Sequence, residues 1–518
     1  MDLCIKLSML FVFFAMTIGI GLYCRKHSTD VNGFVLGGRS VGPWLTAFAY
    51  GTSYFSAVVF VGYAGQFGWK FGIASTWAGI GNSLIGSLMA WAFLGRRTRV
   101  MTQHLSSATM PQFFSARFKS PALKIASSAI IFIFLIPYTA SLYNGLSRLF
   151  GMAFEIDYSI CVIVMAILTA VYVIAGGYMA TAINDFVQGI IMIIGIIAVI
   201  SAVLKGQGGF MEALDKLGHV SDPAVSQTPG VFASFFGPDP LSLLGVVLLT
   251  SLGTWGLPQM VQKFYAIKSE QAISKGMVIS TLFAAVVAGG CYFLGGFGRL
   301  FADRVDVAAQ GYDAIIPAML SDLSPFLISV VVILVLSASM STLSSLVLTS
   351  SSTLTLDFIK GTIVKDMDEK RQLLVMRLLI AVFILISVIL AIIQYKSNIT
   401  FIAQLMGVSW GALAGAFLAP FLFGLYWKRT STAAVWTSFV FSTAVMLSNI
   451  FVRPLFPAVL QSPINAGAFC MLAGLVLVPT VSLFTAAPEK SHVEHVFSCY
   501  DRTVTVHVTD SIGDKNED

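Results

Sequence analysis

Between Leu336 and Ser345 the chain reads Leu-Ser-Ala-Ser-Met-Ser-Thr-Leu-Ser-Ser. On a helix, Ala338, Ser341, Thr342 and Ser345 recur at i, i+3, i+4 and i+7 and share one face, with Ser344 beside it. Such a face is a ladder of neutral oxygens set in an apolar run. Hard cations are held by oxygen ligands, and hydroxyls and carbonyls supply them to a sodium ion without burying a net charge. The competing use is local, because a helical serine or threonine hydroxyl can bond back to a carbonyl of the preceding turn. Back-bonding is the expectation for Ser350, Ser351 and Ser352. For Ser341, Thr342 and Ser345 both uses stay open.

Asp185 is the acid with most to say. It stands in Gly176-Gly177-Tyr-Met-Ala-Thr-Ala-Ile-Asn-Asp185-Phe-Val-Gln188, at the start of an apolar run. A carboxylate at the centre of a spanning helix costs about 2.5–3.5 kcal/mol on insertion scales and points to function. At a helix start it is an ordinary cap, favoured by the helix dipole. Both placements fit the sequence, and position alone leans to the cap. Two other segments carry interruptions. Residues 44–68 are broken at Gly51-Thr52-Ser53. Residues 241–257 are broken at Gly253-Thr254-Trp255-Gly256 and end at Pro258. Non-helical backbone at membrane depth is tolerated where it lines a cavity or an ion site. Corresponding interrupted segments in two halves of a chain point to a transporter's central site. One such segment alone reads as close helix packing; a matched pair, five helices apart, reads as transport.

These residues must be positioned by membrane-spanning helices. The chain has 518 residues, of which 57% are hydrophobic and 11% charged, against about 25% charged in a soluble protein. A span needs about 20 mostly apolar residues. Thirteen segments qualify: 4–24, 44–68, 73–95, 125–150, 157–175, 185–204, 241–257, 277–297, 326–350, 373–394, 401–426, 432–450 and 464–484. The expected fold class is an all-α polytopic membrane protein, with one transmembrane domain over 1–485 and a short polar tail over 486–518. The connections 205–240 and 298–325 are polar enough for short surface helices. With the N-terminus outside, 22 of the 31 Lys and Arg residues, Lys263 among them, fall in cytoplasmic connections or the tail, as the positive-inside rule requires. The C-terminus is then cytoplasmic.

Several function classes find no support. The basic residues form neither a block nor a basic–aromatic stripe, so the net charge of +6 is no nucleic-acid signal. There is no GxSxG, HExxH or Walker loop, and the six histidines lie outside the spans. The six cysteines are scattered, without a CxxC. No organic cofactor is implied, and the chain is not expected to be an enzyme.

The same residues resemble the sodium:solute symporter family. The resemblance rests on Leu36-Gly-Gly-Arg-Ser-Val-Gly-Pro-Trp44, the Gly51-Thr52-Ser53 break, Gly176-Gly177 with Asp185 and Gln188, the Trp255-Gly-Leu-Pro258 break, and Met340-Ser-Thr-Leu-Ser-Ser345 running on to Asp357. It covers roughly residues 3–485. It implies a leucine-transporter-type fold of five helices repeated in inverted topology, repeat one over about 44–204 and repeat two over about 241–426. It implies sodium as coupling ion, held by the carbonyls of Thr52, Phe55 and Ala338 and the hydroxyls of Ser341 and Thr342. Resemblance to sialic-acid symporters implies a second sodium at Asp185, Ser341, Ser344 and Ser345. It also places a tyrosine, Tyr138, beside the solute. Asn82, Asn144 and Trp410 sit near the expected cavity. Tyr54, Tyr138, Trp255, Gln259 and Gln404 are the candidate solute-binding residues, a mix suited to a small molecule with polar and apolar parts.

Proline symporters of the family carry an acid in the first break, in a Ser-Asp-Met-Ser context, where this chain has Ser53-Tyr54-Phe55-Ser56; Trp255 and Met260 also depart from that pattern. Proline is therefore one candidate, beside other small carboxylates and sugar acids. The expected function is sodium-coupled import of a small organic solute across the plasma membrane, by a monomer whose partners are the solute, sodium and the bilayer. The alternative is a sodium-dependent solute sensor on the same fold, and the short tail offers it no signalling domain.

Overall fold

The computed structural model describes residues 2–27, 29–154, 157–364, 366–397 and 402–501. Helices account for nearly all of them, and among the described residues the only extended pairings are two isolated bridges. Among the described residues, ten helices are long and apolar enough to cross a membrane, or eleven if a pair bent by 45° counts as one span.

Two of the ten are too long for a single crossing. At 1.5 Å per residue, the 49 residues of Tyr158–Gly206 and the 47 of Val58–His104 would reach roughly 70 Å, against about 30 Å of hydrocarbon. Each is interrupted by a glycine that an L side chain could not replace without strain. Gly177 has φ 55° and ψ −147°, and a Cβ there would meet the Phe34 ring at 2.8 Å. Gly72 has φ 63° and ψ −143°, and a Cβ would come within 2.0 Å of the Phe232 carbonyl oxygen. Helix starts follow the sequence closely. Proline stands at the first turn of Pro43–Thr52, Pro240–Gly256, Pro258–Ala266, Pro325–Thr353 and Pro463–Phe484, where its missing N–H costs nothing. Asp239 and Ser324 cap two of these starts by accepting from the N–H groups of Ser242 and Leu327.

The interruptions are where backbone leaves the helix at depth. The first span runs helically from Pro43 to Thr52, turns through Ser53–Ser56, and resumes at Ala57. The second runs from Pro240 to Gly256, breaks at Leu257 (φ −78°, ψ 124°) and resumes as Pro258–Ala266. The sequence reading is corrected here. Gly253–Gly256 are helical, and Pro258 starts a further helix rather than ending the span, because proline suits a helix's first turn. The ends of the two broken spans are tied together. Val41 donates its N–H to the Ala266 carbonyl at 3.2 Å and accepts from Lys268 at 3.0 Å. Arg39 donates to the Ser107 carbonyl at 2.6 Å and the Tyr265 carbonyl at 3.2 Å. Burial and nearby Arg99 lower the Arg39 pKa to about 10, so it still ties these segments as a cation at neutral pH.

The surface connections contain short helices at Phe210–Gly218 and Ile315–Leu320; Arg299 of the second connection reaches Asp222 of the first at 3.0 Å and the Trp69 carbonyl of the helix Ala64–Phe71 at 2.6 Å. The tail differs from a free polar segment. Lys490–Phe497 is a helix docked on the protein: Glu489 pairs with Lys119 at 2.7 Å, and the Tyr500 hydroxyl donates to the Arg97 carbonyl at 3.1 Å. Arg502 and Lys515, both counted in the charge asymmetry, lie outside the described residues.

Candidate ion and solute site

The serine-rich helix, Pro325–Thr353, is buried from Val331 to Thr353. It packs against the kinked helix Tyr158–Gly206 and approaches the first break. Ser351 and Ser352 bond back to the carbonyls of Leu348 and Thr349 at 3.2 and 3.1 Å, as expected; Ser350 was expected to do the same, but among the described residues its hydroxyl has no hydrogen-bond partner. Ser341 and Thr342 do more than bond back. The Thr342 hydroxyl lies 3.0 Å from the Thr52 carbonyl oxygen, 3.1 Å from that of Phe55 and 3.1 Å from that of Ala338. The Ser341 hydroxyl lies 3.3 Å from Thr52 O and 3.1 Å from Ala338 O.

Thus the break and the serine helix bring all five oxygens of the first expected set into one cluster, with every contributing residue at 0% exposure. A hydroxyl carries one proton, so Thr342 cannot satisfy three carbonyls at once. An oxygen cluster with too few protons is what a cation would complete. An ion bound at the 2.3–2.6 Å typical of calcium, which sodium matches closely in radius, would set octahedral neighbours about 3.3–3.7 Å apart. The observed 3.0–3.3 Å spacing needs only a slight expansion. All five donors are neutral oxygens, the chemistry suited to a hard monovalent cation.

The second expected set assembles differently. Helix resumes directly after Gly177, so Asp185 lies two turns inside it, at 0% exposure, and caps nothing. Its carboxylate accepts no hydrogen bond from the described residues, and its nearest cation is the Lys263 ammonium at 4.0 Å. Lys263 is not the solvated connection residue the charge tally assumed. It sits in Pro258–Ala266 at 2% exposure, donates to the Ser345 hydroxyl at 3.0 Å and lies 5.1 Å from the Tyr178 ring centroid. Ser345 Oγ is in turn 2.9 Å from Ser53 Oγ, which donates to the Ala49 carbonyl at 2.5 Å. Since the Ser53 proton points to Ala49, Ser345 must be the donor in that pair. Ser344 donates back to Ser341 O at 2.9 Å. Removing one partner from a buried ion pair costs about 3–5 kcal/mol, so Asp185 and Lys263 depend on each other. Pro258, a helix-starting proline five residues earlier, was the signal that Lys263 is carried on a helix.

Of the solute candidates, Tyr138 is fully buried and packs edge-on to Trp410, ring centroids 6.0 Å apart. Its hydroxyl lies beside the Ser56 hydroxyl and the Trp410 indole, and none of the three makes a well-formed hydrogen bond in this geometry. Trp410 also covers Gly253, where a Cβ would come within 2.6 Å of its ring, so it joins Tyr138 to the second broken span. The Tyr54 hydroxyl and the Gln259 amide are buried without protein partners as well. Trp255 faces another way: its indole donates to the Ile85 carbonyl at 2.9 Å and its ring lies 5.8 Å from Phe93. Gln404 is half-buried on Ile402–Tyr426. Asn144 is engaged with Tyr158 and Gln394, which makes it a helix-joining residue.

The sodium:solute symporter family matches residues 34–440. The osmoregulated proline transporter of Bacillus subtilis is 28% identical over 484 residues, covering 93% of this chain and 95% of that one. The sodium/proline symporter of Staphylococcus aureus is 31% identical over 458 residues, 86% of each chain. A solved sodium-coupled sialic acid symporter shares the fold with a TM-score of 0.73 at 16% identity, over 94% of this chain and 98% of that chain. The all-α, multi-pass fold is thus of the leucine-transporter type, and the chain belongs to the sodium:solute symporter family: it is a sodium-coupled solute symporter, not an enzyme.

Proposed function

We propose that this protein imports proline or a closely similar small carboxylate, driven by sodium bound to the carbonyls of Thr52, Phe55 and Ala338 and the hydroxyls of Ser341 and Thr342. The observation that carries the ion site is the single Thr342 hydroxyl set against three carbonyls from two elements. Proline is favoured because two relatives covering most of the chain are named for it. The tyrosine in the first break, where proline symporters carry an acid, alters how that solute would be held.

The solute site we propose comprises Tyr54, Tyr138 and Gln259, with Gln404 at its margin; Trp255, expected there too, is turned away toward Ile85 and Phe93. What supports it is the set of buried polar groups without protein partners, with Trp410 beside Tyr138. Asp185 and Ser345 form a second cation locus; Ser341, also expected there, turns its hydroxyl to the first ion cluster, and Ser344 bonds back to its own helix. The long helices broken at Gly72 and Gly177 are each two spans, which with the bent pair makes thirteen, arranged as two inverted repeats over about 44–204 and 241–426. The N-terminus faces outside the plasma membrane, the C-terminus the cytoplasm, and the monomer is the working unit.

The test is uptake of radiolabelled proline into proteoliposomes with an inward sodium gradient. Sodium-dependent accumulation supports the reading. Sodium-driven uptake of another solute, with proline neither carried nor competing, would remove proline and leave the ion site standing.

A further inference from the structure

Four side chains were expected to hold a second sodium, and only two of them face a common point. Ser341 points its hydroxyl at Thr52 O and Ala338 O, within the first ion cluster. Ser344 is bonded back to its own helix. The two that remain, Asp185 and Ser345, converge on one group, the Lys263 ammonium, at 4.0 and 3.0 Å. We propose that this ammonium is the resident cation of the second locus, so that the protein carries its second positive charge covalently and couples one sodium ion, not two, to each solute. The inference rests on the symport reading above and specifies its ion count.

The charge balance argues for it. Asp185 is fully buried and needs one positive charge. Lys263, buried on the other side of the gap, supplies that charge and needs a carboxylate for the same reason. Adding sodium between them would leave a net positive charge in an apolar surrounding with no second acid in the set. The ammonium also takes up Ser345 as an acceptor, the hydroxyl a sodium ion would have used. Its position is not isolated from the first ion cluster. The donor chain runs from Lys263 to Ser345 to Ser53 to the Ala49 carbonyl, and Ser53 follows directly on Thr52, a carbonyl donor of the first site. The fixed charge thereby anchors the first break to the serine helix, a task that would otherwise need a bound ion.

Equilibrium binding of radioactive sodium to the purified protein tests the assignment. Wild type and Lys263→Arg, which keep the charge, should bind one sodium ion per protein. Lys263→Gln should gain a second, weaker sodium, and Lys263→Gln combined with Asp185→Asn should return to one. Wild type binding two sodium ions, or Lys263→Gln still binding one, overturns the proposal. Should Lys263→Gln not fold, the charge-to-solute ratio of wild-type transport decides: one charge per neutral solute supports it and two overturn it. Thr342→Ala separates this from the symport reading. Sodium binding that survives Thr342→Ala undamaged would move the first ion elsewhere, while the count of one would still favour a lysine-filled second locus.

Discussion

A single hydroxyl carries much of the chemistry inferred for this protein. Thr342 Oγ1 reaches three carbonyl oxygens that it cannot satisfy alone, and removing it should cost the ion more than the fold. Thr342→Ala is expected to raise the sodium concentration for half-maximal uptake by about tenfold, equivalent to about 1.4 kcal/mol, with Ser341→Ala close behind. Thr342→Ser, which keeps the oxygen, should change it little. Uptake titrated against sodium checks both, and unchanged sodium dependence in both alanine variants would remove these ligands. Tyr138 makes a different prediction. Its hydroxyl has the Ser56 hydroxyl and the Trp410 indole as neighbours but no well-formed hydrogen bond to either, so Tyr138→Phe loses little internal bonding. It should weaken solute affinity by about two- to thirteenfold, the usual worth of a hydrogen bond at about 0.5–1.5 kcal/mol, and leave sodium binding without solute intact. Equal losses in both, or a fall in thermal stability, would make it scaffold. The common face of Ala338, Ser341 and Thr342 was legible at this scale because residues at helical spacing share a face whatever surrounds them, whereas the carbonyls of Thr52 and Phe55 came only from the family resemblance. Lys263 was less legible, because the helix-starting Pro258 was its only signal and a basic residue beyond an apolar run invites a reading as a solvated connection.

Elements explain both the success and the miss. Span positions follow from hydrophobic length, and the described helices lie within a few residues of most of the expected segments. The second break was misplaced because Gly253 and Gly256 are permissive of a bend without requiring one. Gly253 instead gives way to the Trp410 ring and Gly256 to the backbone of Ala414, while the change of direction falls at Leu257, just before a proline. Nothing in the sequence separates a glycine that packs from a glycine that turns. Gly177 is of the turning kind. Gly177→Ala places a side chain at φ 55° and against Phe34; strain of this sort costs about 1–3 kcal/mol. It should lower the thermal midpoint of the purified protein clearly. Gly289→Ala, whose new methyl meets nothing within 4 Å, should leave the midpoint unchanged. Equal behaviour of the two variants would show that the break at Gly177 is not needed to reverse the chain.

At the scale of the molecule, the fold holds two broken spans, bridged at Val41 and Ala266, against one serine helix that serves both ion loci. Orientation remains a matter of charge asymmetry, and burying Lys263 removes one residue from the tally without altering its direction. A reporter fused to the C-terminus should be active on the cytoplasmic side; activity confined to the outer side would mean a miscounted span. Energetics follow from the ion count. One charge crossing about 100 mV contributes about 2.3 kcal/mol, roughly fiftyfold accumulation before the sodium gradient itself is added. A second charge would double the energy and raise the ratio to about two-thousandfold, so the built-in lysine trades concentrating power for a smaller ion demand. Sodium coupling is decided by solute uptake into proteoliposomes with sodium outside, compared with equimolar choline, for wild type and Thr342→Ala. Accumulation should require sodium, and the Thr342→Ala curve should be displaced to higher sodium but reach a similar maximum. Uptake of equal rate and extent in sodium and in choline would contradict that coupling.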